Sequence, residues 1–478
     1  MSKQKKKKQY YLVSLGCSKN SVDSDSMGVL LNRASYSAVD KPEEAGVLIV
    51  NTCGFINSAK KESLEVLREL AENKSGDQLL IAAGCLSQRY GPALVQEIPN
   101  LDGVIGTRRW MDIVRFINQL RRRRHPAPLY HLPGDADTVG RDERNVVRAS
   151  VNGASAFLKI ADGCRRPCAF CVIPQIKGTL VSRPPQRIIS EVRRLQEAGV
   201  KELIIIAQDT SDYGHDLGLK NGLSQLLNQM VEATPDIDWI RIMYTYPGYV
   251  TDELIETMAN HRQILPYLDM PLQHADRETL KRMRRPANVD WVYKTIEKLR
   301  ASMPDIALRT TFIVGYPGET DQEFETLVEF VQEVRFDRVG VFPYSYEEST
   351  LSANISWHVP DEVKDDRIDR LMQLQQTISL EKNQQFVGKT LPVLIEGYDG
   401  GLSLGRSYRD APEVDGMIIV SDRLPVGEIM PVVIDGALTY DLTGYVPTSN
   451  EVETVRMPSD RITISGLTGG DKDIVREG

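Results

Sequence analysis

Three of the chain's 6 cysteines lie in the stretch GCRRPCAFC at 163–171, where they follow the spacing C-x3-C-x2-C. These residues are Cys164, Cys168 and Cys171. A zinc site normally uses four protein ligands, and the neighbouring sequence offers no further Cys or His as a fourth. Three thiolates can instead hold an iron–sulfur cluster and leave one iron free to bind a substrate or cofactor. The spacing therefore favours a cluster with one open position over a zinc site or three unlinked thiols.

The other three cysteines, Cys17, Cys53 and Cys85, are far apart in sequence but share one context. Each ends a short apolar run: YYLVSLGC, VLIVNTC and LLIAAGC. Such runs are typical of buried parallel strands, and helical stretches follow them, as in a doubly wound α/β domain. Because parallel strands end at the same edge of a sheet, the three thiols are expected to converge there. The alternative is three unrelated core cysteines, since free cysteine is often buried.

A second run of strands and helices begins at about residue 154. Six units are predicted, fewer than the eight of a closed (β/α) barrel, so a partial (β/α)6 barrel is expected. The first of these strands leads directly to Cys164, which places the clustered cysteines at the catalytic end of that barrel. A long amphipathic helix at about 361–386 completes the unit. The six candidate strands are AFLKIADGC, ELIIIAQD, WIRIMYTYP, YLDMPLQHA, ALRTTFIVGYPGE and RVGVFPYS.

The rest of the chain has a different residue pattern. From 388 to 446, β-branched runs alternate with Gly, Pro and Asp turns, which predicts a small all-β domain. The basic, proline-containing stretch after Arg121 lacks apolar periodicity and is expected to be a linker, and the polar end is expected to be disordered. The expected divisions are an N-terminal domain at 9–124, a linker at 125–150, a barrel at 151–386, a β domain at 387–448 and a tail at 449–478.

Composition excludes some classes of protein. The 478 residues carry a net charge of -8, which argues against a general nucleic-acid binder. No apolar run approaches the roughly 20 residues of a membrane span, and the N-terminus does not resemble a secretory signal. The chain is therefore predicted to be cytoplasmic and to have no membrane partner. Structural disulfides are rare in the cytosol, so the cysteines are expected to be ligands or buried thiols.

The C-x3-C-x2-C triplet resembles that of the radical S-adenosylmethionine enzymes. LGCSKN, NTCGFINSA and AGCLSQRY resemble the N-terminal domain of the methylthiotransferases, and CVIPQIKGTLVSRP and TFIVGYPGET also match that family. The final β domain looks like its TRAM domain. The resemblance implies S-adenosylmethionine and two 4Fe-4S clusters as cofactors. Cys164, Cys168 and Cys171 would hold the cofactor-binding cluster, and the other cysteines would hold an auxiliary cluster.

The resemblance also implies a reaction in which all six cysteines are catalytic. A 5′-deoxyadenosyl radical would abstract hydrogen from a carbon that no general base can deprotonate. The auxiliary cluster would supply sulfur, and a further S-adenosylmethionine would supply the methyl group. An electron donor such as flavodoxin or ferredoxin is an implied partner. Phe170 would pack near the adenine, although an ordinary core Phe also fits this position.

Weaker candidates follow other predicted strands. Gln208 is predicted to contact the cofactor, as is Asp209, although Asp209 or Thr210 would equally suit a helix cap. Gly315 in GYPGE is predicted to bring the backbone close to the cofactor, and a plain strand-to-helix turn is the alternative. His274 in PLQHA is expected to be a structural histidine rather than a proton shuttle.

Two features favour a protein substrate over transfer RNA. LGCSKN, in place of GCQMN, and GRSYRDAPEVDG at 405–416 resemble the ribosomal-protein branch, which modifies the β-carbon of an aspartate in small-subunit protein twelve. Residues 388–446 contain nine acidic and four basic residues, whereas a surface that binds RNA phosphates needs Lys and Arg. Asp410, Glu413 and Asp415 are expected to help attract the basic protein, and any RNA contact is expected to be secondary. The alternatives are a transfer-RNA adenosine methylthiotransferase and a noncatalytic iron–sulfur carrier or scaffold.

Overall fold

The structure is a computed structural model that describes residues 7–123, 127–134 and 144–447. The predicted tail at 449–478 lies outside the described residues. None of the helices in the described part combines the length and the apolar composition that a membrane span requires.

The N-terminal domain is built on a parallel sheet of six strands in the order β2-β1-β3-β4-β5-β6. Alternate strand residues contribute to two separate apolar cores, Val47 and Ile49 to one and Leu48 and Val50 to the other. Side chains of a strand alternate between its faces, so helices cover both faces and the predicted doubly wound fold is confirmed. The strands are β1 (Gln9–Ser14), β2 (Ser37–Ala38), β3 (Val47–Thr52), β4 (Leu79–Gly84), β5 (Gly103–Gly106) and β6 (Leu129–His131), and the helices are α1 (Ser18–Arg33), α2 (Asn57–Asn73), α3 (Cys85–Glu97) and α4 (Ile113–Arg122).

Strand β6 falls inside the stretch 125–150 that was expected to be a linker. It pairs in parallel with β5, from Gly103 beside Leu129 to Ile105 beside His131. Three residues are too few to show a period of two, which is why the sequence did not indicate a strand. The N-terminal sheet therefore extends one strand further than its apolar pattern does.

The second domain is a seven-stranded sheet in the order β15-β14-β13-β12-β11-β8-β7. Its six parallel strands match the six predicted ones, and β7 adds an antiparallel edge. The predicted partial (β/α)6 barrel is thus confirmed. Its strands are β7 (Ala149–Asn152), β8 (Ser155–Lys159), β11 (Glu202–Ile206), β12 (Trp239–Ile242), β13 (Ile264–Asp269), β14 (Ala307–Val314) and β15 (Arg338–Pro343), with a small hairpin of β9 (Ala161–Asp162) and β10 (Val181–Ser182) after β8.

Helices cover the outer face of this sheet and bury one large apolar core against it. The long predicted helix is present as the last of them and begins at Asp361. The helices are α5 (Ile173–Lys177), α6 (Pro185–Glu197), α7 (Gly222–Ala233), α8 (Asp252–Asn260), α9 (Arg277–Arg282), α10 (Val289–Ser302), α11 (Asp321–Val334) and α12 (Asp361–Gln384).

The C-terminal domain is a small closed β-barrel in the order β16-β17-β18-β20-β19. This confirms the predicted all-β domain and fixes it as a barrel rather than a sandwich. Closure leaves no free sheet edge. Its strands are β16 (Thr390–Asp399), β17 (Leu402–Arg406), β18 (Ile418–Val420), β19 (Ile429–Ala437) and β20 (Leu442–Tyr445).

The segment 405–416 attaches this β-barrel to the (β/α) domain. Arg406 pairs with Glu202 at 2.6 Å, Asp410 pairs with Arg338 at 2.6 Å, and Asp415 accepts a 2.7 Å hydrogen bond from the hydroxyl of Tyr267. Glu202 and Arg338 are the first residues of their strands. The barrel therefore docks near the amino-terminal ends of the strands.

This attachment corrects one prediction about charge. Asp410 is 2% exposed and the Asp415 side chain 1% exposed, so neither can steer an approaching protein. The sequence shows how many acids the segment contains but not which way they point. Glu413 is exposed, and the domain surface remains acidic because seven acids and two bases keep access to solvent.

Candidate functional site

Cys17, Cys53 and Cys85, here called the N-terminal triad, lie at the carboxyl ends of the neighbouring strands β1, β3 and β4. Cys17 is the N-cap of α1, Cys53 follows β3 directly, and Cys85 is the first residue of α3. Strand order rather than sequence spacing brings them to one edge of the sheet. The predicted convergence of the three strand ends is therefore present.

One buried side chain, Asn20, connects the three loops of the triad. Its amide nitrogen donates to the carbonyls of Leu15 at 2.8 Å and Thr52 at 3.1 Å, and its Oδ1 lies 3.8 Å from the Cys85 sulfur. Asn51 donates in turn to the Asn20 carbonyl at 3.0 Å. The sequence analysis did not single out Asn20. Its position three residues after Cys17, in LGCSKN, was the available signal.

Gly16 allows the first loop to approach the second. Its φ is +92°, and a Cβ on this residue would lie 2.6 Å from the Cys53 Cβ and 2.8 Å from the Cys53 sulfur. Any larger residue would therefore be strained and would push into the triad. Ser63 holds the other side of this loop, because its hydroxyl bonds both the N–H and the carbonyl of Cys53 at 3.0 Å.

The three thiols of the N-terminal triad differ in ionisation. Burial opposes ionisation of Cys17, but the Lys19 ammonium and the backbone N–H groups of Asn20 and Lys19 together lower its pKa. Burial raises the pKa of Cys53, and the neighbouring Cys17 raises it further. Burial also raises the pKa of Cys85 to about 12, partly offset by Lys177. A helix N-terminus and nearby cations are the usual means by which proteins favour thiolates.

Cys164, Cys168 and Cys171, here called the barrel triad, follow the first parallel strand of the (β/α) domain and the short strand β9. The Cys164 N–H donates to the Gly178 carbonyl at 3.1 Å, and the Cys171 N–H donates to the Cys168 carbonyl at 3.2 Å. Burial raises the pKa of both Cys164 and Cys171 to about 12, and the proximity of Cys168 adds to it. The thiols are thus close enough to repel one another as thiolates.

Charged and aromatic side chains surround the barrel triad. Arg166 pairs with Asp209 at 2.6 Å and stacks 3.5 Å from the ring centroid of Tyr249. Arg285 lies 3.6 Å from the Cys168 sulfur, and the Tyr246 hydroxyl lies 3.8 Å from the same atom. Arg285 and Tyr246 were not found from the sequence. The end of a predicted strand at YTYP was the only signal for Tyr246.

The weaker candidates occupy different surroundings. Gln208 follows β11, and its buried Oε1 has no hydrogen-bond partner among the described residues. Asp209 is held by Arg166 and by the Ser211 hydroxyl at 2.6 Å, and Thr210 donates to the Met243 carbonyl. Phe170 is half-buried beside an apolar cluster of Met283, Tyr316 and Tyr344.

Gly315 follows β14 with φ +68°, and a Cβ there would overlap the side chain of Lys364. Close packing against Lys364 is therefore sufficient to require glycine. His274 is buried and bonds Glu319 at 3.1 Å and the backbone N–H of Asp276 at 2.9 Å. These satisfied bonds fit the structural role expected for His274.

Helix α5 connects the two triads. It begins two residues after Cys171, and its residues Val172 (the N-cap) and Ile176 form a buried apolar cluster with Cys85. Lys177, its last residue, lies 3.0 Å from Asp23 of α1. One five-residue helix thus spans from the barrel triad to the N-terminal triad.

A group of five buried charges fixes this contact between the domains. Asp23 is bonded by Lys159 at 2.7 Å, Arg148 at 2.9 Å and Lys177 at 3.0 Å, and Asp162 is bonded by Lys159 at 2.7 Å and Arg148 at 2.8 Å. All five side chains are at most 3% exposed. Here these residues are called the buried charge cluster. Sequence reasoning missed it because its members come from four separate stretches of the chain.

The donor sets of both triads suit iron–sulfur clusters. Two thiols of each triad, Cys53 and Cys85 in one and Cys164 and Cys171 in the other, have raised pKa values, so three thiolates together need a positive centre. In the described part of the chain, no three His, Cys, Asp or Glu side chains are grouped tightly enough for a single metal ion. Near the barrel triad, the unpartnered Gln208 Oε1 provides a polar group for a bound cofactor.

Comparisons with known proteins agree with this arrangement. Three family models match the chain: "Uncharacterized protein family UPF0004" over residues 9–106, "Radical SAM superfamily" over 158–331 and "TRAM domain" over 387–446. The chain also resembles the solved structure of the radical S-adenosylmethionine methyltransferase TsrM from Kitasatospora setae, with a TM-score of 0.53 and 13% identity over 82% of this chain and 79% of that chain. At this identity the likeness concerns the fold alone.

Curated relatives are much closer in sequence. The ribosomal protein uS12 methylthiotransferase RimO of Chloroflexus aurantiacus is 47% identical over 451 residues, which cover 91% of this chain and 99% of the relative. The protein of the same name from a Roseiflexus species is 44% identical over 472 residues, covering 95% of this chain and 98% of the relative. Identity at this level over more than nine-tenths of its length shows that the chain belongs to the family of ribosomal protein uS12 methylthiotransferases, RimO.

Proposed function

We propose that this chain replaces a hydrogen on the β-carbon of an aspartate in ribosomal protein uS12 with a methylthio group. The observation that carries this proposal is the packing of two three-thiol sites against one short helix, α5, which follows Cys171 and contacts Cys85 through Val172 and Ile176. A single substrate carbon can then lie within reach of both. The names of the relatives support a protein substrate over the alternative of transfer-RNA adenosine.

Each triad has a separate role in this proposal. Cys17, Cys53 and Cys85 hold an auxiliary 4Fe-4S cluster, and the barrel triad holds the 4Fe-4S cluster that binds S-adenosylmethionine. Once bound, these groups supply the one-electron chemistry and the sulfur that a C–H bond without useful acidity requires.

The chain's own side chains prepare these sites. Lys19 and the first turn of α1 favour the thiolate of Cys17, and Arg285 donates toward the Cys168 sulfur. Phe170, Gln208 and Gly315 are proposed to contact S-adenosylmethionine, and the free Gln208 Oε1 is the strongest support among the three. The buried apolar contact of Val172 and Ile176 with Cys85 shields that thiol from water.

The surface of the β-barrel fits a basic protein partner. Its solvent-accessible acids outnumber its bases, seven to two, and such a surface attracts a basic protein and repels RNA phosphates. Any contact with ribosomal RNA is therefore proposed to be secondary. We place the reaction in the cytoplasm, with flavodoxin or ferredoxin as the class of electron donor.

The decisive experiment supplies the anaerobically reconstituted enzyme with uS12 and, separately, with transfer RNA. Mass spectrometry should show a methylthio group on one uS12 aspartate and no methylthio nucleoside in the RNA. A modified nucleoside with unmodified uS12 would replace our proposal with the RNA alternative. Absence of 5′-deoxyadenosine after reduction with S-adenosylmethionine present would instead indicate a noncatalytic iron–sulfur protein.

Two cysteine variants separate the roles of the triads. Cys164→Ala is expected to abolish 5′-deoxyadenosine formation, because the cofactor-binding cluster loses a ligand. Cys53→Ala is expected to retain cofactor cleavage but to yield no methylthiolated uS12. Chromatography of the nucleoside and mass spectrometry of the protein measure both outcomes. Normal methylthiolation by Cys53→Ala would contradict the role given to the N-terminal triad.

A further inference from the structure

Lys19 extends from the N-terminal domain to the mouth of the (β/α) domain. It lies in the first turn of α1, two residues after Cys17. Its ammonium is 3.1 Å from the ring centroid of Tyr244, which follows the carboxyl end of β12. The half-buried contact therefore lies between the domain of the N-terminal triad and the strand ends that bear the barrel triad.

The backbone holds Tyr244 in an unusual conformation. Its φ is +63°, in the left-handed region that non-glycine residues rarely adopt. The conformation is fixed by a hydrogen bond from the Tyr244 N–H to Asp269 at 3.2 Å and by one from the Thr210 N–H to the Tyr244 carbonyl at 2.9 Å. Strain of this kind is kept where the position of a side chain matters.

The charge of Lys19 is not used by an acidic side chain. Three other cations near the triads have carboxylate partners, since Arg165 pairs with Asp212, Arg166 with Asp209 and Lys177 with Asp23. A fourth, Arg285, contacts the Cys168 sulfur and the Pro271 carbonyl instead. Across residues 7–123, 127–134 and 144–447, the Lys19 ammonium forms the aromatic contact and no ion pair. A partly desolvated cation gains most from an incoming anion.

The proposed substrate provides such an anion. The reacting β-carbon of an aspartate is bonded directly to its carboxylate, so the carboxylate must enter the space between the triads together with that carbon. A carboxylate removed from water needs a cation or several donors. We propose that Lys19 is the specificity-determining residue that pairs with the substrate carboxylate. This inference rests on the proposed function and names how the site selects its target side chain.

The test compares a uS12 peptide carrying the target aspartate with the same peptide carrying asparagine. Asparagine keeps the shape and the β-hydrogens but removes the charge. We expect the wild-type holoenzyme to bind the aspartate peptide about tenfold more tightly, since a charge-assisted pair is lost with asparagine. Lys19→Met should bind both peptides nearly equally, and Lys19→Arg should restore the preference. Fluorescence anisotropy of labelled peptides measures the affinities.

Lys60→Met is the matched control. Lys60 lies on α2, and its ammonium is 4.3 Å from the ring centroid of Tyr90 of the same domain, so it makes the same kind of contact without reaching the (β/α) domain. The Lys60→Met variant should keep the wild-type ratio of affinities for the aspartate and asparagine peptides. Iron and sulfide content of each variant shows that both clusters are present.

Two results would overturn the inference. One is an unchanged aspartate preference in Lys19→Met. The other is loss of iron from Lys19→Met with that preference intact, which would limit Lys19 to holding Cys17. Failure of the proposed function looks different, because the wild-type enzyme would then leave uS12 unmodified whatever residue stands at position 19.

Discussion

Cys17 differs from Cys53 and Cys85 in both exposure and ionisation. Cys17 keeps access to solvent, although the surrounding protein already opposes its ionisation, whereas the other two are each 8% exposed. Lys19 and the first N–H groups of α1 lower its pKa, while burial raises the pKa of Cys53 and Cys85. In the metal-free protein Cys17 is thus the thiol most ready to become a thiolate. We expect it to be the first thiol of the N-terminal triad to ionise as the pH rises.

Alkylation of the metal-free protein tests this order. Only the thiolate reacts, and its fraction grows as pH rises toward the pKa. Cys17, with a lowered pKa, should therefore react first near neutral pH, and Cys85, with a pKa of about 12, should react last. Peptide mass spectrometry after a short iodoacetamide pulse gives the ranking. Labelling of Cys85 ahead of Cys17 would show that the assigned ionisation is wrong.

The placement of the cysteines after strands could be predicted from sequence because apolar runs reveal strands and strands reveal where their ends lie. Asn20 and Arg285 could not be predicted in this way. The partners of Asn20 include Thr52, 32 residues away in sequence, and Cys85, 65 residues away. Arg285 and Cys168 are separated by 117 residues. A single sequence gives no direct signal for a polar side chain whose partners are set by tertiary packing.

At the scale of the element, the strand-to-helix turns determine where the thiols lie. The short turns after β1, β3 and β4 each place a cysteine at or just before the start of the next element. Gly16 is the position in these turns at which an added Cβ would meet the Cys53 side chain directly. The turn would lose its shape if the residue gained a side chain.

Gly16→Ala is accordingly expected to disable the N-terminal triad. The new Cβ adds left-handed strain of about 1–2 kcal/mol and a contact of 2.8 Å with the Cys53 sulfur. Iron and sulfide should fall to about half after reconstitution, while 5′-deoxyadenosine formation continues. Gly153→Ala is the control, because it has φ +57° but open space around its Cβ position. Full iron content in Gly16→Ala would show that the turn does not require glycine at this position.

The whole molecule is held together by buried charges rather than by apolar contacts alone. The buried charge cluster joins α1 of the first domain to β8, β9 and α5 of the second. Glu202, Arg241 and Arg406 form a similar buried group between the second domain and the β-barrel. Removing one member of such a group leaves its partners charged and unpaired, which is costly.

Asp23→Asn should therefore destabilise the protein by about 3–5 kcal/mol. Three cations would lose their shared carboxylate charge. Denaturant unfolding monitored by circular dichroism measures the change. Asp252→Asn is the matched control, since its 2.7 Å pair with Lys298 is exposed and should contribute no more than about 1 kcal/mol. Equal effects of the two substitutions would show that the buried cluster is not a stabilising junction.

The acidic face of the β-barrel gives a prediction about substrate encounter. Substituting the exposed Asp399, Glu413 and Glu428 by their amides should slow association with basic uS12 at low salt and have little effect at high salt. Asp410→Asn should leave the association rate nearly unchanged and reduce stability instead, because its charge pairs with Arg338. Stopped-flow association at two ionic strengths measures the difference. If Asp410→Asn slowed association as much as the exposed substitutions, the distinction between acids that attract uS12 and acids that hold the β-barrel in place would be wrong.

The fold of the three domains was largely predictable, whereas their docking was not. Apolar periodicity showed the six parallel barrel strands and the all-β character of the last domain but not its closure, and β6 was too short to show a pattern. The segment 405–416 was interpreted as a mark of the substrate, and the structure shows that it also anchors the β-barrel through Arg406 and Asp410. Charge counts along a sequence do not distinguish a solvated acid from a buried one.

Helix α5 makes the arrangement of the two triads sensitive to the number of residues after Cys171. Because it leaves Cys171 and ends at Lys177 against Asp23, its backbone works as a covalent spacer of fixed length. One inserted residue would rotate everything after it by about 100° and turn Lys177 away from Asp23, although no cysteine had changed. The separation of the two triads is therefore set by the residue count of this segment, and a deletion or insertion there should be as damaging as the loss of a ligand.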